Sequence, residues 1–292
     1  MSVIRYNIKS DHSYKRIVYL LVTDNFILVL DMDGTLIKTG KKLDNDLAIL
    51  LKEYVNEFRV LIATARHPLG VKFVLKDYFE FVPTISLNGA ALHLTSWSIF
   101  DKIVYFPRKT VVKIKKELSS FNVISTYYGT DFWAVSDFSR GVEREAKVTG
   151  ITPVPWKNGF MDGCIKILLI DDKSKIKKVR EHITRKLPNL IQVSTSHDTY
   201  LEISPPLVKK CMFLPNFLKE FFPQEIQALK VIFIGDSEND IHCAEVANES
   251  WTFSSSPKRL KDLSSGILNN PNGKGVKEFL KRLNKWKDSP DI

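Results

Sequence analysis

The chain alternates short, unbroken apolar runs with longer stretches in which apolar residues recur every three to four positions. Phe26–Leu30, Arg59–Ala63, Thr84–Leu87 and Val231–Ile234 are of the first kind, as expected for strands buried on both faces. Leu43–Val55, Pro68–Tyr78, Val208–Phe222 and Asn239–Ala247 are of the second and predict the matching helices. Strand and helix in alternation predict an α/β fold: a Rossmann-like, doubly wound parallel sheet covered on both faces. From about Gly89 to Thr199 the rhythm changes to paired strand-like runs separated by two helical segments, Lys109–Leu118 and Lys173–Leu187. Residues 89–199 are therefore expected to form an inserted α+β cap, with 1–88 and 200–292 forming the core. Arg16–Val22 is a further candidate strand, and Lys274–Lys287 a closing amphipathic helix.

Composition narrows this only slightly. A chain of 292 residues with 44% hydrophobic content suits two ordinary globular domains. No apolar run approaches the ~18 residues of a membrane span, and the first sixteen residues are polar, so a cytoplasmic protein without a membrane partner is expected. The three cysteines, Cys164, Cys211 and Cys243, form no C-x-x-C pair and are expected to be reduced and buried. A net charge of +10 would attract nucleic acid, an anionic surface or a phosphorylated small molecule. Its cations concentrate in the two helical segments of the insertion, where they read as solvated faces. With no zinc-finger spacing or aromatic RNA-binding signature beside them, nucleic acid is the weaker alternative.

The polar residues that follow each apolar run carry the chemistry, because ligands of an open parallel sheet bind beyond the carboxyl ends of its strands. The first strand delivers Asp31, Asp33 and Gly34; the second delivers Thr64, Ala65 and Arg66. A later stretch supplies Lys209 and Lys210, and "GDSEND" supplies Asp236, Asn239 and Asp240. One rim with a hydroxyl, a lysine and several carboxylates suits phosphoryl transfer through an aspartyl-phosphate. A carboxylate attacks phosphorus only when a hard divalent cation and a cationic side chain neutralise both partners. On this reading Asp31 is the nucleophile, and Mg²⁺ is held by Asp31, the Asp33 carbonyl and Asp236. Lys210 and Thr64 hold phosphoryl oxygens, Asp33 moves the proton, and Gly34 lets backbone N–H groups close around the phosphate. Each piece alone has a plainer meaning: Asp-Gly is a turn signal, and "GDSEND" could cap a helix. A calcium loop fits poorly, since the sixth and twelfth positions from Asp236 are Ile241 and Ala247.

"DMDGTL", Thr-x-Arg, a late lysine and "GDSEND", in that order, resemble the four motifs of the haloacid dehalogenase (HAD) superfamily of phosphohydrolases. "ISLNGAAL" (Ile85–Leu92), "LEISPPLVKK" and "NPNGKGVKEFL" resemble its Cof-like sugar-phosphatase branch, in which an α/β cap is inserted between the second and third motifs. The resemblance spans about Phe26 to Leu283. It implies a Mg²⁺-dependent phosphatase acting on a small phosphorylated substrate such as a sugar phosphate, with Asn239, Asp240, Arg66 and Asn88 in supporting roles. A phosphotransferase of the phosphomannomutase type is the alternative, and oligomeric state is left open. Two departures bear on the site. Ala65 stands where the family usually has glycine, and Lys209 precedes Lys210, with the spacing from Glu202 favouring Lys210.

Overall fold

The computed structural model describes residues 25–287, so the expected strand at Arg16–Val22 lies outside the described residues. The chain opens with β1 (Phe26–Leu30), α1 (Asn45–Asn56), β2 (Val60–Ala63), α2 (Pro68–Leu75), β3 (Thr84–Ser86), β4 (Ala91–His93) and β5 (Lys102–Ile103). It then builds a second sheet from β6 (Ile124–Tyr128), β7 (Trp133–Val135), β8 (Val154–Pro155), β9 (Lys166–Ile170), β10 (Gln192–His197) and β11 (Tyr200–Ser204). Helices α3 (Arg108–Leu118), α4 (Arg140–Thr149) and α5 (Lys173–Lys186) lie among these strands. The return leg adds α6 (Leu214–Phe221), β12 (Lys230–Ile234), α7 (Ile241–Val246), β13 (Glu249–Phe253), α8 (Lys258–Leu263), β14 (Gly266–Leu268) and α9 (Lys274–Lys287).

The first sheet has the order β14-β13-β12-β1-β2-β3-β4-β5, and the second has β10-β11-β9-β6-β7-β8. β1 is central, running parallel to both β12 and β2, with Leu30 in register with Ile234 on one side and Ile62 on the other. All five of its residues are buried, which is why its sequence shows no alternation. Two hydrophobic layers sandwich this sheet. Leu28, Leu30, Leu47 and Leu280 belong to one, and Ile27, Val29, Phe217 and Phe233 to the other. β4 and β5 pair antiparallel onto the first sheet, whereas β11 pairs with β9 in the second.

The helix expected from Val208 departs furthest from its expected extent, while α2 ends at Leu75 rather than Tyr78 and α7 spans only Ile241–Val246. Instead of running from Val208 to Phe222, α6 begins at Leu214 and is preceded by turns. Pro215 explains the start, because proline is accommodated in a first turn but not in a helix interior. Leu207, with φ of +69°, keeps the chain out of helical geometry just before.

The cysteines require a correction. Cys211 and Cys243 form a disulfide across a sequence separation of 32, and only Cys164 is free. All three are buried. The bridged pair meets because the turn before α6 and helix α7 pack in the same apolar layer of the first sheet, a proximity that sequence separation conceals. A loop of this size contributes about 3–4 kcal/mol by restricting the unfolded chain.

Two imidazoles set an acid limit on the fold. His67 N-caps α2, its Nδ1 accepting from the Leu69 N–H while Nε2 meets the Gly129 carbonyl at 3.0 Å. His93 lies between Ser86 Oγ and the Ile99 carbonyl. Burial pushes both pKa values down to about 4. Between pH 6.5 and 4 the unfolded chain therefore binds protons that the folded chain does not, and stability is lost as pH falls. At pH 5 each histidine should cost about 2 kcal/mol relative to neutral pH. Between pH 7 and 5 the wild type should lose about 2 kcal/mol more stability in urea unfolding than His93→Gln does, and equal changes in the two would contradict the assignment.

Candidate active site

The register of the central strands builds the site. Asp31, Thr64 and Asp236 follow the ends of β1, β2 and β12, so the parallel pairing brings all three to one rim. Gly34 turns the chain behind Asp31 with φ of +90° and donates its N–H to the Ile37 carbonyl. A Cβ at Gly34 would lie 2.2 Å from Asp236 Oδ2, so this glycine is required both for its conformation and for the approach of the second loop. Thr35 completes the join, its hydroxyl donating to Asp236 Oδ1 at 3.3 Å.

Lys210 is the hub. It is 2% exposed, while Lys209 points to solvent, in keeping with the spacing from Glu202. Its Nζ donates to Asp31 Oδ1 at 2.6 Å, Asp240 Oδ1 at 2.5 Å and Asn239 Oδ1 at 3.4 Å. Asp240 uses its other oxygen to accept the N–H groups of Asp236 and Ser237, which fixes the "GDSEND" loop to the lysine. The backbone of the lysine stretch presses on Gly89, where φ is +102° and a Cβ would lie 2.1 Å from the Lys209 carbonyl. The "LNGA" segment therefore needs its glycine for this approach. Asn88, beside it, does not line the cavity among the described residues; its Nδ2 donates to Ser194 on β10.

The acids here are under tension. Burial, followed by the neighbouring carboxylates, raises Asp31 well above the usual carboxylate range, against the pull of Lys210. Burial and Asp240 push Asp236 up to about 6. Burial alone would lower Lys210, but Asp240 and Asp31 outweigh it and keep its ammonium charged. Asp31 Oδ2 is buried with no hydrogen-bond partner. Asp31, Asp236 and Asp240 offer oxygens within 4.8 Å of one another. Two carboxylates this close suit a hard cation with oxygen ligands, and Asp240 is already engaged by Lys210, so Asp31 and Asp236 have the capacity. The side chain of Asp33 lies apart from this cluster. The Arg66 guanidinium grips it with two hydrogen bonds, of 2.6 and 2.8 Å. Thr64 Oγ1 accepts the Arg66 N–H at 3.1 Å. Ala65 is not among the positive-φ residues, so its methyl is tolerated where the family has glycine.

Above the rim lies a cavity of about 270 Å³. Asp31, Asp33, Gly34, Thr64, Ala65, Arg66, Asp236 and Asn239 line its floor, whereas Lys210 does not line it and instead contacts Asp31. The roof comes from the second sheet and α4: Tyr128, Arg144, Glu145, Lys166, Tyr200 and Glu202. Sequence reasoning did not single out Arg144, Glu145 or Lys166. A signal existed for α4, because Ser139 caps its start and Gly150, with φ of +70°, ends it. The roof is tied to the floor by Lys166 Nζ to the Ala65 carbonyl (2.7 Å), Arg66 Nη1 to the Val148 carbonyl (3.1 Å) and His67 to Gly129. Trp133 and Tyr127 pack in the interior instead.

The profile of the haloacid dehalogenase-like hydrolase family matches residues 28–280. With the fold and rim above, this places the chain in that family, as its motifs led one to expect: it is a haloacid dehalogenase-like hydrolase. It is 25% identical over 289 residues to the 5-amino-6-(5-phospho-D-ribitylamino)uracil phosphatase of Bacillus subtilis, covering 88% of this chain and 97% of that protein. Among solved structures it is similar to a Thermotoga maritima protein (TM-score 0.74, 23% identity, 88% and 97% of the two chains). It is also similar to a haloacid dehalogenase-like hydrolase from Bacteroides thetaiotaomicron (TM-score 0.75, 20% identity, 89% and 99%). Among the described residues, no helix is long and apolar enough to cross a membrane.

Removing the ammonium should expose how much depends on it. Lys210→Met leaves Asp31 and Asp240 buried without a cation, which should cost about 3–5 kcal/mol at pH 7. Urea unfolding of the variant beside the wild type measures this, and equal midpoints at pH 7 would contradict the ion pair.

Proposed function

We propose that this chain is a Mg²⁺-dependent phosphatase of small phosphate monoesters, working through an aspartyl-phosphate on Asp31. The observation that carries the reading is the asymmetry of Asp31: Oδ1 is held by Lys210, while Oδ2 is buried without a partner at the floor of the cavity. An oxygen so placed is desolvated and fixed for attack on phosphorus. Thr64 Oγ1 accepts the Arg66 N–H, leaving its own O–H to donate to a phosphoryl oxygen. Asp33, two residues from the nucleophile, protonates the departing alkoxide and then takes the proton of the hydrolytic water. Arg66 orients that carboxyl, and its third nitrogen on Val148 links the orientation to the cap. Mg²⁺ bound by Asp31, Asp236 and the Asp33 carbonyl would neutralise the charge shared by nucleophile and phosphoryl group.

We further propose that residues 89–199 act as the cap that reads the organic group, and that this group is a sugar or related polyol. The roof sets two carboxylates, the half-buried Glu145 and the buried Glu202, beside Lys166, Arg144 and the Tyr200 hydroxyl. Donors and acceptors of both charges match the hydroxyls of a polyol, and about 270 Å³ suits a small molecule. The similarity to a phosphatase of a phosphoribitylamino compound supports the same direction. Substrates of this class are retained in the cytoplasm by their charge, which is where the enzyme is proposed to work.

Asp31→Asn should reduce turnover of an aryl phosphate by at least about 10³-fold while the circular dichroism spectrum stays native. Chelation should abolish wild-type turnover and Mg²⁺ restore it. Appreciable turnover by the variant would refute the nucleophile, and full activity in chelator would refute the metal. A rate screen over phosphorylated sugars, polyols and nucleotides, run with and without added acceptor alcohols, identifies the substrate and separates hydrolysis from transfer.

A further inference from the structure

Cys211 immediately follows Lys210, and Cys243 lies three residues past Asp240, so the disulfide joins the two segments that carry this ion pair. The side chains of Val208, Lys210 and Cys211 are buried, but the backbone of the lysine segment makes few hydrogen bonds to the rest of the fold. Between Pro205 and Leu214 its hydrogen bonds are local turns, Val208 to Pro205, Met212 to Lys209 and Leu214 to Cys211. Leu207 is 83% exposed with a left-handed backbone. The covalent link to α7 therefore anchors the irregular stretch close to its catalytic residue.

We propose that the Cys211–Cys243 bridge is a site of thiol–disulfide exchange with a dithiol reductant, and that its oxidation state sets the rate of phosphoryl transfer by fixing where Lys210 stands. This rests on the proposed roles of Asp31 and Lys210. In the oxidised form the ammonium is clamped against Asp31; in the reduced form the stretch is released and the nucleophile loses its fixed partner. For the exchange, the 205–213 stretch lifts and one thiolate of the reductant attacks a bridge sulfur. The S–S bond breaks, a mixed disulfide forms, and the other cysteine leaves as a thiolate that takes a proton from water. The second thiol of the reductant then resolves the mixed disulfide. Two electrons pass to the bridge, which ends as two thiols, and the reductant ends as a disulfide. In a reducing compartment such as the one proposed above, the disulfides that occur are usually redox-sensing or catalytic.

The test uses the full chain and three readouts. Thiol counting after denaturation should find one thiol in the oxidised protein and three after dithiothreitol. On reduction, kcat for an aryl phosphate should fall about five- to tenfold with KM changed less than twofold, and glutathione disulfide should restore it. The Cys211→Ala/Cys243→Ala variant should stay at the reduced level and ignore both reagents, whereas Cys164→Ala should keep the full response. Hydrogen exchange across residues 205–213 should accelerate on reduction, and this holds even if no phosphatase substrate is found, so failure of the activity reading is distinguishable from failure of the switch. Three thiols in the oxidised protein, equal kcat in both states, or unchanged exchange in 205–213 would each overturn the proposal. Should the double variant fold poorly, the reversible response of the wild type decides alone.

Discussion

One ammonium group holds this site together. Lys210 is buried between Asp31 and Asp240 and touches Asn239, so a single cation fixes the end of β1, the "GDSEND" loop and the irregular stretch before α6. Burying such a charge is costly, and the cost is tolerable only because its hydrogen bonds find well-placed acceptors. The reverse also holds. Asp31, Asp236 and Asp240 could not crowd within 4.8 Å in a dry environment without the neighbouring cation. The close approaches at Gly34 and Gly89 follow from this constraint, since a methyl at either would push apart segments that the ion pair draws together.

The second sheet completes what the first begins. A parallel sheet presents functional groups at its rim but leaves them open to water. Here the Ala65–Gly70 segment is tied to the roof through the Ala65 carbonyl, Arg66 and His67, and Gly70 has Thr149 against it. The segment that carries Thr64 and Arg66 is thus also the hinge of the contact between the two sheets. Arg66 bonds both the roof, at Val148, and Asp33, which gives the proposed cap a direct contact route to the carboxyl proposed to move the proton.

Much of this was legible in the sequence, for identifiable reasons. Strands buried on both faces leave continuous apolar runs, so β1, β2, β3 and β12 stood out within a residue of their observed bounds. The rim residues follow those runs directly. What stayed hidden depends on distant packing. The helix expected from Val208 was read from spacing alone, and Pro215 with the left-handed Leu207 overrides that spacing. The Arg66 grip on Asp33 joins positions 33 apart, and the disulfide joins positions 32 apart; neither has a local signature. β13, which includes Trp251, is absent from the expected strands, because Glu249 and Ser250 break its apolar run. In the fold it is buried along its whole length, between β12 and β14. Arg144 and Glu145 belong to a helix whose caps were readable but whose place over the rim was not.

The central claim is that Lys210 holds one oxygen of Asp31 so that the other attacks phosphorus. A first-turnover reaction quenched in acid and reduced with borohydride tests it directly, because reduction marks any acyl-phosphate and peptide mass spectrometry then locates it. The account predicts the mark at Asp31 and at no other carboxylate, in amounts that rise when Asp33 is replaced by Asn and hydrolysis slows. A mark at Asp33 or Asp236, or product formed with no marked residue, would contradict it.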